Sequence, residues 1–241
     1  MACVCAERPA LADPQSLGAN LPIRVKDAFN SSNFGDLELY FTERGTEDPQ
    51  GRYSLRGGPK IKLGLLPGLA VDLLPANQFG TAKTIHGGLA VTALEYQLNE
   101  QTDRLPAFLI EGVYDAPYSG PLGSSEYHLI GVATKSLGNS IESPRVDLEL
   151  TYAHVTAPES GERNDRWSIG VAYSHLLSSR VALVADYVHD TQRSVGKYGN
   201  FADLGLNVEI DSHIQMGIGA GIGIVQRSFE PRGFFGVKWK P

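Results

Sequence analysis

In about twelve segments between residues 36 and 240, apolar and polar side chains exchange places at every second position, and this period constrains the chain more than any other feature. It is barest in GIGAGIGI (217–224), where Ile218, Ala220, Ile222 and Ile224 take the even positions and Gly217, Gly219, Gly221 and Gly223 the odd ones. A helix would scatter both sets around its circumference. A strand sends successive side chains to opposite faces, so one face is oily and the other is stripped of side chains. Glycine weakens a strand interior unless the backbone must coil or something approaches closely. The bare face is therefore roomy, crowded or sharply bent, and coiling is the simplest of the three.

The same period recurs with other residues. Leu204, Leu206, Val208 and Ile210 alternate with Asp203, Gly205, Asn207 and Glu209, and Val146, Leu148, Leu150 and Tyr152 alternate with Arg145, Asp147, Glu149 and Thr151. Trp167, Ile169, Val171 and Tyr173 stand against Ser168, Gly170, Ala172 and Ser174. Helical spacing fails in each window, and period two is the strand signal. Twelve such segments lie near 36–43, 58–66, 69–75, 86–98, 104–116, 125–136, 145–157, 166–176, 180–190, 200–210, 212–225 and 232–240.

Their connections are unequal. Links after even-numbered segments are mostly short, as in Pro67-Gly68 and LSS (177–179), whereas RGTEDPQGRYSLRG (44–57) and ANQFGTAKTI (76–85) follow odd ones. Short turns at one end and longer loops at the other are the habit of outer-membrane barrels. An even strand count brings both termini to the periplasmic end. The aromatics agree with this. If odd segments run outward, Tyr114, Tyr152, Trp167 and Tyr187 fall near the outer ends, and Tyr96, Phe108, Tyr173 and Trp239 near the inner ends. Two such bands are the girdles expected where amphipathic rings meet lipid headgroups. The longest oily stretch, LGLLPGLAVDLL (63–74), is interrupted by Pro67-Gly68 and Asp72. It falls short of the roughly 20 apolar residues a membrane helix needs.

The expected fold is therefore all-β, a closed antiparallel up-and-down transmembrane barrel of about twelve strands. Its outward isoleucines would meet lipid, where no backbone edge can stay unpaired. The opposite face then lines a wet lumen. On it fall Glu38, Asp72, Glu95, Glu111, Asp115, Asp147, Glu149, Asp186, Asp203 and Glu209, against Lys60, Lys62, Arg145, Lys238 and Lys240. So many charges would be costly in a dry core, whereas water in the lumen removes most of that cost. The acidic excess predicts a bore that disfavours anions. Net charge is −6 with no basic run, which gives no footing for a nucleic-acid partner.

Chemistry leaves fewer traces. Ser174 and His175 are neighbours, as are His189 and Asp190, but adjacent strand residues face opposite ways and cannot form a dyad. No phosphate loop, zinc spacing or nucleophile elbow is present. The reading is of a non-enzyme with no metal and no cofactor. Cys3 and Cys5 both sit in residues 1–12, where Ala10 and Ala12 before Asp13 look like the end of a secretory signal, although Glu7 and Arg8 interrupt the apolar run. Residues 13–35 form a separate segment placed in the periplasm or entering the lumen, and 36–241 form the barrel.

LPAFLIEGVYDAPYSG, YHLIGVATKSLG, RVDLELTYAHV, RWSIGVAYSHLLSSRVALVADYVHD and the closing GIGAGIGI…PRGFFGVKWKP together resemble the outer-membrane family named after the meta-pathway of phenol degradation. The likeness runs from about residue 36 to the end. It implies a twelve-stranded barrel that transports small, often hydrophobic compounds, with no catalytic residues to carry over. The chain departs from the pattern in its interrupted signal and in Lys240-Pro241, which follow Trp239 where barrels commonly end on an aromatic residue. The partners expected are the bilayer with its lipopolysaccharide, the barrel-assembly machinery and a small-molecule solute, for a monomer in the bacterial outer membrane. Two functions stand: passive passage of small, aromatic or hydrophobic solutes through a charged lumen, and a plugged barrel with a structural or lipid-modifying role.

Overall fold

The computed structural model describes residues 21, 23–29, 32–47, 51–81, 86–119, 124–138, 143–192, 195–225 and 228–241. The signal-like segment 1–12 and the first part of 13–35 lie outside the described residues. Every regular element among them is a strand: β1 (Leu37–Glu47), β2 (Tyr53–Leu66), β3 (Leu69–Gly80), β4 (His86–Asn99), β5 (Ala107–Ser119) and β6 (Glu126–Ser136). The second half supplies β7 (Arg145–Val155), β8 (Asp165–Ser178), β9 (Val181–Thr191), β10 (Tyr198–Glu209), β11 (Ile214–Val225) and β12 (Ser228–Trp239).

Each strand pairs antiparallel with its sequence neighbours, and β1 pairs with β12 from Leu39↔Trp239 to Thr46↔Arg232, closing the barrel. Closure leaves no strand edge unpaired, as a hydrocarbon surrounding requires. All twelve segments read from the alternation are present. The two-residue connection Pro67-Gly68 works because Gly68 supplies φ 72°, a left-handed conformation that costs glycine little.

The connections differ from expectation. β1, β2 and β3 run on through much of what reads as loop, and Arg44↔Arg56, Thr46↔Ser54 and Glu47↔Tyr53 continue the β1–β2 ladder. The links after odd strands thus shrink to 48–52 and 81–85 where 44–57 and 76–85 were expected. Beyond the lipid-facing band the outward face of β1 turns polar at Glu43, Gly45 and Glu47, so the ladder continues there although the hydrophobic alternation of β1 has stopped.

The exterior is apolar. Ile218 is 62% exposed and Leu204 56%, and Leu94, Leu129, Leu148, Leu150, Ile169 and Ile222 are similarly open. Exposed hydrophobic area of this extent marks a surface covered by something other than water. Aromatics cap the band. Tyr114 stacks on Tyr127, with centroids 4.8 Å apart, and Tyr152 lies 4.8 Å from Trp167, all on the side where the odd strands end. Tyr187 is exposed on the same side, its hydroxyl 2.8 Å from Asn200 Oδ1. Tyr96, Phe108, Tyr173 and Trp239 are exposed toward the other end.

A cation placed on this face must be dragged into hydrocarbon. Leu204 sits at mid-strand, opposite Ala185 and Ala220. Leu204→Arg should lower the unfolding free energy by about 2–4 kcal/mol in a urea titration carried out in lipid vesicles, whereas Leu204→Val should change it little.

Candidate functional site

The lumen contains a strap. Leu21 and residues 23–29 lie inside the barrel without regular secondary structure, and the backbone of this segment bonds to inward side chains instead of a neighbouring strand. Asp186 Oδ2 accepts the N–H groups of Arg24 (2.6 Å) and Val25 (2.9 Å). Glu149 Oε2 accepts that of Lys26 (2.9 Å), and Thr134 Oγ1 that of Ala28 (2.7 Å). Three of the sequence-predicted interior positions thus meet the strap backbone directly or through one side chain, since Thr134 donates in turn to Asp147 Oδ1 at 2.6 Å. Ile23 and Val25 pack on Ala172, Val184, Val188 and Phe201, and Ala28 packs on Ala107, Leu109 and Val132. Burying each such aliphatic side chain favours docking by about 1.5–3 kcal/mol.

The strap also explains part of the bare face. A Cβ at Gly217 would fall 2.7 Å from Leu21 Cβ and 2.8 Å from Asn207 Oδ1, and one at Gly236 would meet Leu21 Cδ2 at 2.3 Å. Coiling, the expected reason for these glycines, is therefore not the constraint at Gly217: a second chain segment occupies the space. At Gly221 and Gly223 the space is taken by the Asp203 carboxylate and the Phe201 ring, while Gly219 is half-buried opposite Gly205 and Phe234.

The interior charges divide into two groups. In the first, Lys60 pairs with Asp72 at 2.9 Å, Lys62 with Glu95, and the strap's Lys26 with Glu111. Carboxylate oxygens of Asp72, Glu95 and Glu111 lie within 4.8 Å of one another, a spacing that would suit a cation. Three ammonium groups already stand against them. Glu38 accepts the Tyr40 hydroxyl and faces Lys238 at 3.4 Å and Lys240 at 3.6 Å, with Lys60 4.4 Å above the Tyr40 ring. Arg145 bridges Asp27 (3.3 Å) and Asp147 (3.5 Å). Asp115 faces Arg56 at 3.8 Å and His128 at 3.6 Å, and Glu209 is half-buried where β10 ends, its N–H on the Arg180 carbonyl at 2.8 Å.

The second group is basic. Arg24 lies 3.9 Å above the Phe201 ring, with Arg232 4.7 Å from the same ring and 5.1 Å from that of Phe234. Arg44 lies 5.3 Å from Phe234. Burial, and after it the Arg232 guanidinium, lower the pKa of Arg24 to about 10. Burial also opposes the charge on Lys26, but Glu111, Glu95 and Asp72 outweigh it and raise that pKa.

Between the strap and strands β1–β5 a cavity of about 410 Å³ remains. Arg24, Arg44 and Arg56 line one part of it, Lys60, Lys62, Asp72, Glu95 and Glu111 another, and Leu74, Val91 and Val113 supply apolar wall. The strap therefore occupies one side of the lumen and leaves the other open.

Sequence reading missed Arg24, Lys26, Asp27, Arg44, Arg56 and Arg232. Arg44 and Arg56 continue the inward parity of Glu38 and Lys60, but lie beyond the apolar run that set the expected strand ends. Arg232 has the parity of Lys238 and was legible; the strap has no periodicity that would reveal it. With these residues counted, the acidic tilt expected of the bore shrinks.

Asp186 holds two strap N–H groups with one oxygen, and hydrogen bonds to a charged group contribute about 1.5–3 kcal/mol each. In a chain with Cys3 and Cys5 changed to Ser, a cysteine at Ile23 should react with a maleimide about tenfold faster or more when Asp186→Ala is added.

No family model matches the chain, and neither does any curated protein. Solved structures do match in fold. The COG4313 outer membrane channel from Pseudomonas putida F1 aligns over 91% of this chain and 100% of its own, with TM-score 0.65 and 12% identity. A KdgM porin in complex with disordered oligogalacturonate aligns over 84% and 98%, with TM-score 0.60 and 9% identity. The NanC porin aligns over 83% and 100%, with TM-score 0.59 and 12% identity. At these identities the likeness carries the fold: the chain is a twelve-stranded barrel of the outer-membrane type.

Proposed function

We propose that this chain is an outer-membrane channel through which small solutes pass by way of the cavity beside the strap. One observation carries the reading: inside a closed, lipid-facing barrel, about 410 Å³ stays open although a second chain segment crosses the lumen. That volume falls within the range of small-molecule sites. The likeness in fold to outer-membrane channels supports the reading. Leu74, Val91 and Val113 on the cavity wall suit solutes with an apolar or aromatic body, the class implied by the resemblance to the phenol meta-pathway family. The lipid bilayer and the assembly machinery complete the proposed set of partners.

The strap also favours a second reading. Its four backbone N–H contacts and two apolar clusters are what a plug needs, and a barrel sealed by it would serve a structural role.

Liposome swelling separates the two. With arabinose as solute, the full chain should permeabilise vesicles, and deletion of residues 13–29 should speed the swelling several-fold. Swelling only in the deletion variant would establish the plug, and swelling in neither would eliminate the channel.

A further inference from the structure

The arginines facing the cavity are arranged in a way that the protein alone does not satisfy. Arg44 and Arg56 stand directly opposite each other on β1 and β2, with both side chains among those lining the cavity. Like charges at directly opposed positions destabilise a sheet. The strap brings Arg24 to the same wall, and β12 places Arg232 behind it, where both lie over the Phe201 ring.

Glu43 lines the same cavity but its buried Oε2 has no hydrogen-bond partner, and the other carboxylates nearby do not use up this charge. Asp203 Oδ2 lies 3.4 Å from Arg232, an ion pair without a hydrogen bond. Arg232 has a fully buried side chain, and its three guanidinium nitrogens have no hydrogen-bond partner. One Asp186 oxygen is taken by the strap backbone, and Asp115 meets Arg56 only at 3.8 Å while also facing His128. The Nε atoms of Arg24 and Arg44 are buried and likewise unbonded. A buried donor left without an acceptor is costly, more so when it is charged, and the unbonded Nε atoms of Arg24 and Arg44 belong to side chains that line the cavity.

We infer that Arg24, Arg44 and Arg56 form a binding site for a small organic carboxylate whose apolar body lies along Leu74, Val91 and Val113. The planar guanidinium presents paired N–H groups that match the two oxygens of a carboxylate, which a lysine cannot do. Phe201 and Phe234, 3.9 Å and 5.3 Å away, hold the Arg24 and Arg44 guanidiniums in place by cation–π contact. On the far side of the cavity the lysines are matched by Asp72, Glu95 and Glu111, so the anion's place is at the arginine end. The inference rests on the channel reading for its physiological meaning, since it names the class of solute that would pause in the lumen. It also reverses the anion exclusion expected from the strand charges.

Calorimetric titration of the detergent-solubilised full chain at neutral pH tests it, with benzoate as probe and benzamide, its uncharged counterpart, as control. Benzoate should bind and benzamide should bind at least tenfold more weakly. Arg24→Gln with Arg44→Gln should weaken benzoate about tenfold or more, and Arg44→Lys should recover only part of the loss. Heat-modifiable migration on a gel confirms that each variant is a folded barrel, and Arg56→Gln serves alone if the double variant does not fold. Equal binding of benzoate and benzamide, or unchanged benzoate affinity in the folded variants, overturns the site. The titration needs no transport: binding without vesicle swelling would sink the channel and keep the site, and swelling without binding would do the reverse.

Discussion

A peptide group carried into hydrocarbon must find its hydrogen-bond partner within the protein, and everything else in this molecule follows from that. Twelve strands meet the requirement only by closing, and β1 does so by pairing with β12. Closure creates a second surface, facing inward, that no lipid touches. The interior can therefore hold what a compact core could not: Glu111, Asp147 and Arg232 side chains almost completely enclosed, beside a cavity. The outer face is left to Leu204, Ile218 and their neighbours, which would be a liability on a protein surrounded by water.

The fold was legible because the bilayer imposes its period on the sequence. Lipid demands an apolar residue at every second position across a fixed thickness, and that signal is uniform enough to reveal all twelve strands without an alignment. It fails where the lipid ends. β1 continues through Arg44 on pairing with β2, its outward positions Glu43, Gly45 and Glu47 all polar, so nothing in its hydropathy distinguishes ladder from loop. The interior positions from Glu38 to Lys238 could be assigned by parity, but their partners could not. Parity says which face Asp186 is on, yet not that its carboxylate receives the backbone of Arg24 and Val25. The strap obeys no repeat, because its residues answer to several strands: Arg24 and Val25 to β9, Lys26 to β7 and Ala28 to β6.

The glycines of β11 illustrate the same limit. Their placement on one face is a local property and could be read directly. Their reason is not local: Gly217 accommodates Leu21, which is 196 positions away in the chain, and Gly223 accommodates the Phe201 ring on the adjacent strand. A bare face tells that something is close without telling what.

The strap's grip must be weighed against water. In a dry interior its N–H bonds to Asp186, Glu149 and Thr134 would fix it permanently, since each broken bond would leave a polar group stranded. Beside an open cavity water can take over those groups, so the net contribution of each bond falls toward about 0.5–3 kcal/mol, the upper end for the carboxylates. The apolar contacts of Leu21, Ile23 and Val25 do not suffer this competition and carry a comparable share. The covalent link to β1 then matters, because a tethered segment rebinds at high effective concentration. Docking of the strap thus rests on several modest terms acting together, and the width of the remaining cavity is set by side chains such as Asp186 that hold the strap to one wall.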